Sequence, residues 1–230
     1  MIPDILAVLL GYLLGSIPTA HLVARWRAGV SIRNVGEGNV GARNVWHVVG
    51  PFWGLLVGFL DISKGLGAVL LAWALGASTI GALLAGPAAI IGHAFPLFLR
   101  FQGGKGVSTT AGVLIAWSPW SSLTALLLFF LSQMILRDFN RSIVIAIASG
   151  ILLPLAFGKE WWLPIYAGVL FSALALKKWL DLAHERRVWA TSGGWRGDAR
   201  PGWYREETPP DLPEDETPAD LQEKEQPCSS

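Results

Sequence analysis

The chain has 230 residues, 52% of them hydrophobic and only 15% charged, with a mean hydropathy of +0.45. Soluble domains carry about 25% charged residues, so the composition excludes an ordinary soluble domain and points to an integral membrane protein. The net charge of +1 hides an asymmetry. Four of the 18 basic and ten of the 17 acidic residues lie from Val188 onward, leaving 14 basic against 7 acidic before it. The single cysteine, Cys228, excludes an intramolecular disulfide framework or a cysteine-based metal site.

The N-terminus runs apolar from Met1 to Val23 with no basic n-region and no small-residue cleavage site. It therefore reads as a first spanning helix and not a signal peptide. With about 20 residues per span, the apolar runs predict an all-α polytopic fold of about seven transmembrane helices. They cover 3–24, 51–75, 78–99, 106–118, 120–136, 141–158 and 162–180. The fourth is short, and Ser118-Pro119 is alternatively a kink within one longer helix. Basic residues cluster on alternate connections: Arg25, Arg27, Arg33 and Arg43, then Arg100 and Lys105, then Arg137 and Arg141, then Lys177, Lys178, Arg186 and Arg187. The opposite connections hold only Lys159. This bias predicts an N-terminus outside and a cytoplasmic C-terminus, with Trp117, Trp120, Trp161 and Trp162 at the outer interface. The expected organisation is a membrane domain over 1–187 and a disordered, acidic, proline-rich cytoplasmic tail over 188–230.

Both basic, glycine-rich connections sit on the predicted cytoplasmic face. The first contains Arg33, Gly36, Gly38, Asn39, Gly41, Arg43 and Asn44. Its guanidinium and amide groups suit phosphate oxygens, although a flexible loop is the plain alternative. The second, Gly103-Gly104-Lys105-Gly106, sets a lysine just before a new helix, where free N–H groups attract anions. Neither matches a P-loop, so nucleotide hydrolysis is not supported. Asp61 and Lys64 lie within the second span at pairing distance on one helical face. They form either a buried pair that joins helices or a pair whose lysine reaches an anionic ligand from the membrane side. His93, in Gly92-His93-Ala94-Phe95-Pro96, is by itself more often a packing residue. It gains interest by approaching the surface that carries Gly103. His184 reads as part of a solvated basic helix.

The ordered blocks Gly15-Ser16-Ile17-Pro18, Ile32-Arg33 with Gly36-x-Gly38-Asn39-x-Gly41-Ala42-x-Asn44, Asp61-x-x-Lys64-Gly65, Gly92-His93-x-Phe95-Pro96 and Phe101-x-Gly103-Gly104-Lys105-Gly106-Val107 resemble a known family. It is that of the bacterial acyl-phosphate-dependent glycerol-3-phosphate acyltransferases, which are integral membrane enzymes. The resemblance implies a multi-pass protein of the cell membrane. Its partners would be the lipid bilayer, acyl phosphate as donor and glycerol 3-phosphate as acceptor, giving lysophosphatidic acid for phospholipid synthesis, with no cofactor, metal or nucleic acid. It implies that Arg33, Asn39 and Lys105 act in catalysis. It assigns substrate binding to Ser16, Gly38, Gly41, Asn44, Asp61, Lys64, His93, Gly103, Gly104, Gly106 and Arg141.

The chain departs from the family pattern in three places. The family's Gly-Ser-Gly-Asn and Ala-Thr-Asn have become Gly36-Glu37-Gly38-Asn39 and Ala42-Arg43-Asn44, and the two opposite charges predict an ion pair in place of two hydroxyls. Val144 stands where the family has a serine after Arg141. No His-x-x-Asn segment aligns to Lys177–Arg187. These departures leave two alternatives open beside the acyltransferase reading: a non-catalytic homologue that binds acyl phosphate or anionic lipid, or an acyltransferase with another acceptor. A transporter is a weaker third.

Overall fold

The computed structural model describes residues 1–194. Its described residues form nine α-helices and no strand: α1 (Ile2–Gly15), α2 (Thr19–Ala28), α3 (Ala42–Val48), α4 (Pro51–Ala74), α5 (Thr79–Ala94), α6 (Val107–Trp117), α7 (Pro119–Leu136), α8 (Phe139–Ala156) and α9 (Trp162–Ser192). Short 3₁₀ turns over Ile32–Asn34 and Leu97–Leu99 interrupt the connections.

Six segments are long and apolar enough to cross a membrane: Ile2–Ala28, Pro51–Ala74, Thr79–Leu99, Pro119–Leu136, Phe139–Ala156 and Trp162–Ser192. The remaining predicted span, 106–118, is the 11-residue α6. At 1.5 Å per residue it is about 16 Å long, roughly half of a ~30 Å hydrocarbon core. Its position explains the length. Thr109, in its first turn, lies against Gly65, which is fourteen residues into α4 and roughly 20 Å along it. The connection before α6 therefore descends into the bundle, and a short helix finishes the passage. Trp117, at the end of α6, meets Trp73 at the end of α4 and Trp162 at the start of α9, each with ring centroids 5.5 Å apart. Thus two of the expected interfacial tryptophans share one aromatic cluster, while Trp120 and Trp161 remain exposed.

The first predicted span is broken. Proline lacks the N–H that continues a helix and steers the preceding residue away from helical backbone, and α1 stops at Gly15 and α2 restarts at Thr19 around Pro18. Small residues then let backbones approach, as in many membrane helix pairs. A Cβ on Gly15 would overlap the Ala89 carbonyl oxygen, and one on Gly92 the Tyr12 oxygen, which locks α1 to α5. Gly65 against Thr109 and Gly112 against Ile62 do the same for α4 and α6. Val69, Ile90, Val113, Leu114, Ala167, Leu170 and Leu174 fill the space between α4, α5, α6 and α9. A second cluster, including Ala24, Ile32, Val40, Val45 and Val57, seats the first glycine-rich connection.

The last helix runs well past the predicted end at 180, through Ser192. Val188–Ser192, assigned to the tail from sequence, are thus helical, and Val188 packs on Gly38. The expected tail from residue 195 onward, Cys228 included, lies outside the described residues.

The close α4–α6 contact predicts that Gly112→Leu destabilises the protein, because overpacking typically costs about 1–3 kcal/mol. Gly168→Leu, at a position with open space around it, should not. Melting temperatures in detergent compare the two, and equal effects would contradict the packing described here.

Candidate functional site

The first connection is held by one amide. Asn44 is fully buried at the start of α3. Its Nδ2 donates to the carbonyl oxygens of Ile32 (2.9 Å), Val35 (2.9 Å) and Asn39 (3.0 Å), and its Oδ1 accepts from the Glu37 N–H at 3.0 Å. Buried backbone groups need such partners, so Asn44 fixes the loop's shape with its amide fully engaged. Its contribution is to position neighbours. The sequence-expected substrate contact would have to come from them.

Glu37 and Arg43 form the expected ion pair, Nε to Oε1 at 3.0 Å, and the Arg43 guanidinium lies 4.2 Å from the Phe139 ring centroid at the start of α8. Glu37 is 9% exposed, and among the described residues its Oε1 has the Arg43 ion pair but no further hydrogen bond. Asn39, at 8% exposure, carries a buried acceptor, Oδ1, that accepts no hydrogen bond among the described residues. One turn beyond Arg43, burial and then the Arg43 charge hold His47 down to about 4, so it is neutral at pH 7.

The second connection turns back on α5. The N–H groups of Gly103 and Gly104 donate to the carbonyls of Ala94 and His93, both at 3.1 Å. These two amides are therefore engaged within the protein. What the glycines supply is room, since a Cβ on either would overlap His93. Anion-binding capacity shifts to Lys105 and to the start of α6. There Gly106, at φ +89°, is the N-cap and offers no side chain to the first-turn N–H groups.

Lys105 joins the two connections to α9. Its Nζ lies 2.9 Å from Glu185 Oε1, and Glu185 Oε2 accepts from Lys178 Nζ at 2.8 Å. Burial lowers the Lys105 pKa from the ordinary lysine value, while Glu185 and then Glu37 oppose the shift. His184, on the same helix, contacts the Arg33 carbonyl oxygen through Nε2 at 3.2 Å. Lys177 pairs with Asp181. The C-terminal half of α9 is thus a wall of the site. Sequence reasoning left it as a solvated basic helix because no family motif aligned there. The available signal was the spacing of Lys178 and Glu185, seven residues or two turns apart on one face.

On the membrane side, Asp61 Oδ1 accepts from Thr19 Oγ1 at 2.6 Å and pairs with Lys64 Nζ at 2.8 Å, with His93 Nδ1 3.6 Å away. Lys64 also donates to the Ile17 carbonyl at 3.2 Å, in the break between α1 and α2. Both readings of this pair meet in one place: it ties helices together, and Lys64 and His93 line a narrow cleft with Ile17, Thr19, Val40 and Gly103. Ser16 is fully buried at the same break. Gly41 caps α3, and Arg33 occupies the 3₁₀ turn. Arg141 is not brought to the cluster. Its side chain is 75% exposed and pairs with Asp138, which caps α8 through the Arg141 N–H. Among the described residues, no three His, Cys, Asp or Glu side chains are grouped to hold a metal ion.

The model of the glycerol-3-phosphate acyltransferase family matches residues 5–188. A glycerol-3-phosphate acyltransferase from Desulforudis audaxviator is 43% identical over 176 residues, covering 76% of this chain and 87% of the relative. Glycerol-3-phosphate acyltransferase 1 of Deinococcus radiodurans is 44% identical over 187 residues, covering 81% and 92%. A crystal structure of PlsY, an integral membrane glycerol 3-phosphate acyltransferase in its glycerol 3-phosphate form, superimposes with a TM-score of 0.70. It is 33% identical and covers 78% of this chain and 90% of that one.

Asn44→Ala removes the donors of three loop carbonyls and the acceptor of one N–H, each costing about 1–3 kcal/mol if left unsatisfied. The variant should melt well below the wild type, whereas exposed Asn34→Ala should not. Equal melting temperatures would contradict the clamping role.

Proposed function

The chain belongs to the glycerol-3-phosphate acyltransferase family, and from that membership we propose how its own residues carry out the reaction. It is a multi-pass membrane enzyme that acylates glycerol 3-phosphate to lysophosphatidic acid. The donor is acyl phosphate, whose phosphate is a good leaving group that bound cations can stabilise without a protein nucleophile. Both glycine-rich connections and the C-terminal half of α9 face the cytoplasm, and the N-terminus lies outside. The distribution of basic residues supports this orientation.

The observation that carries the reading is the place of Lys105. It is a largely enclosed cation, its side chain 17% exposed, at the meeting point of both connections, just before a helix start that descends among the spans. A phosphate held there lies below the membrane surface, so an acyl chain attached to it remains in lipid while a water-soluble acceptor enters from the loops. Lys105, Lys178, Arg33 and Arg43 supply positive charge for two phosphate-bearing substrates. Glu185 pairs with Lys105 and Lys178, and Glu37 pairs with Arg43. Substrate oxygens replace these carboxylates on binding. Lys64 and His93 support the cleft from the membrane side, and Asn39 and Asn44 set the first loop. Catalysis then rests on positioning and on charge stabilisation of the departing phosphate.

Lys105→Ala should lower kcat/KM with acyl phosphate and glycerol 3-phosphate by about 100-fold or more, the usual cost of losing one charge-stabilising donor. Purified protein assayed for acyl transfer reads this directly. Wild-type protein that binds acyl phosphate through Lys105 but never turns over would instead identify a binding homologue. Turnover with a different phosphorylated polyol alone would change the acceptor and keep the chemistry.

A further inference from the structure

We infer that Arg27, framed by the indoles of Trp26 and Trp53, forms a binding site for the phosphate of an anionic phospholipid in the surrounding bilayer. None of these residues is assigned a part in acyl transfer, so the site stands apart from that reading. It lies where the first membrane-crossing segment, Ile2–Ala28, ends and the next, Pro51–Ala74, begins. Both helix ends therefore meet one membrane surface, the one rich in basic residues.

The Arg27 side chain is held in place. Its guanidinium carbon lies 4.7 Å from the Trp53 ring centroid and 5.2 Å from that of Trp26, both within the ~6 Å reach of cation–π attraction. The two indoles meet edge to face at 5.5 Å, and Phe52 braces Trp53 in the same way at 5.1 Å. Trp53 is half-buried and packs on the cluster that includes Val45 and Val57, so the frame rests on the protein interior. The rings supply no oxygen acceptor to the guanidinium. Its N–H groups suit two parallel hydrogen bonds to a phosphate, and the side chain has already lost part of the rotamer freedom that binding would cost.

Arg27 also lacks a counter-charge. Among the described residues, neither it nor Arg25, in the same last turn of α2, pairs with a carboxylate. From Thr19 to Leu60 the sequence holds one acidic residue, Glu37, and that one pairs with Arg43. The ligand that complements this face is an anion.

The surroundings select a lipid over a soluble anion. Trp26 is 71% exposed and Phe52 68%. Large apolar rings beside a cation at the end of a span fit the layer between headgroups and acyl chains. A single exposed guanidinium holds inorganic phosphate weakly, because water and salt screen the pair. A phospholipid adds its glycerol and acyl carbons against Trp26 and Phe52, and anionic headgroups are drawn to basic side chains at such a surface. A zwitterionic headgroup brings its own cation, which Arg25 and Arg27 repel.

Full-length protein in detergent, with glycerol 3-phosphate present in excess, is titrated with dioleoylphosphatidylglycerol or dioleoylphosphatidylcholine, and bound lipid is counted by native mass spectrometry. Wild type should prefer phosphatidylglycerol. Arg27→Gln should weaken phosphatidylglycerol binding by about tenfold, the loss of one charge-assisted contact, and leave phosphatidylcholine binding unchanged. Trp26→Leu keeps the charge and removes one ring, and should weaken phosphatidylglycerol by about threefold. Arg137→Gln removes an exposed arginine that touches no ring among the described residues, and should change the affinity by less than about twofold. Melting temperatures confirm that the variants fold. Equal losses in Arg27→Gln and Arg137→Gln would reveal diffuse attraction, and displacement of the lipid by inorganic phosphate would reveal a site for soluble anions; either result overturns the inference. A wild type that binds the lipid in this way yet transfers no acyl group would contradict the proposed function and support the lipid site.

Discussion

Polar groups below the membrane surface have no water to fall back on, so each must find its partner inside the protein. The architecture of this chain follows from that constraint. Pro18 breaks the first span, and Lys64 donates to the Ile17 carbonyl at the break. Lys64 then needs a counter-charge, which Asp61 supplies, and Thr19 shares the same carboxylate oxygen. The second connection descends among the helices, and its Gly103 and Gly104 amides are taken up by α5 carbonyls. Asn44 does the same service for the first connection. With these groups satisfied, what is left for a ligand is small and specific: the lysines now neutralised by Glu185, the start of α6, and a few acceptor oxygens on the first connection.

The pairing of Glu37 with Arg43 fits the same logic. A lone carboxylate at 9% exposure would be costly, and a lone arginine nearby would bias the site toward anions. Together they are nearly neutral and can be bonded across a 3.0 Å gap. The ring of Phe139 supports the guanidinium from α8, so the pair also ties the first connection to a distant helix. Breaking a buried pair by removing one partner usually costs more than the pair contributes. The two residues are therefore best understood as a unit.

Much of this was legible in the sequence. Apolar runs located the spans, and residue chemistry located the two connections. The opposite charges of Glu37 and Arg43 announced their pairing. The short α6 was legible as a short span but not as a helix that begins inside the bundle. That depth depends on Gly65 and Gly112 letting α4 and α6 meet backbone to backbone, which is a tertiary fact. The internal bonding of the Gly103 and Gly104 amides was not legible, because composition shows freedom of approach but not where an N–H points. The part of the site on α9 was hidden for another reason. Lys178, His184 and Glu185 read as solvated until Val188 is seen packed on Gly38, and nothing local in the sequence reports that contact.

The central claim is that Lys105, brought by the second connection to the C-terminal half of α9, holds substrate phosphate at the junction of three segments. A structure of the protein with glycerol 3-phosphate bound tests it most directly. The account predicts a phosphate oxygen within hydrogen-bonding distance of Lys105 Nζ or the α6 start, with the Glu185 carboxylate displaced from at least one of its lysines. Phosphate bound elsewhere, with the Lys105–Glu185–Lys178 bridge intact, would contradict it.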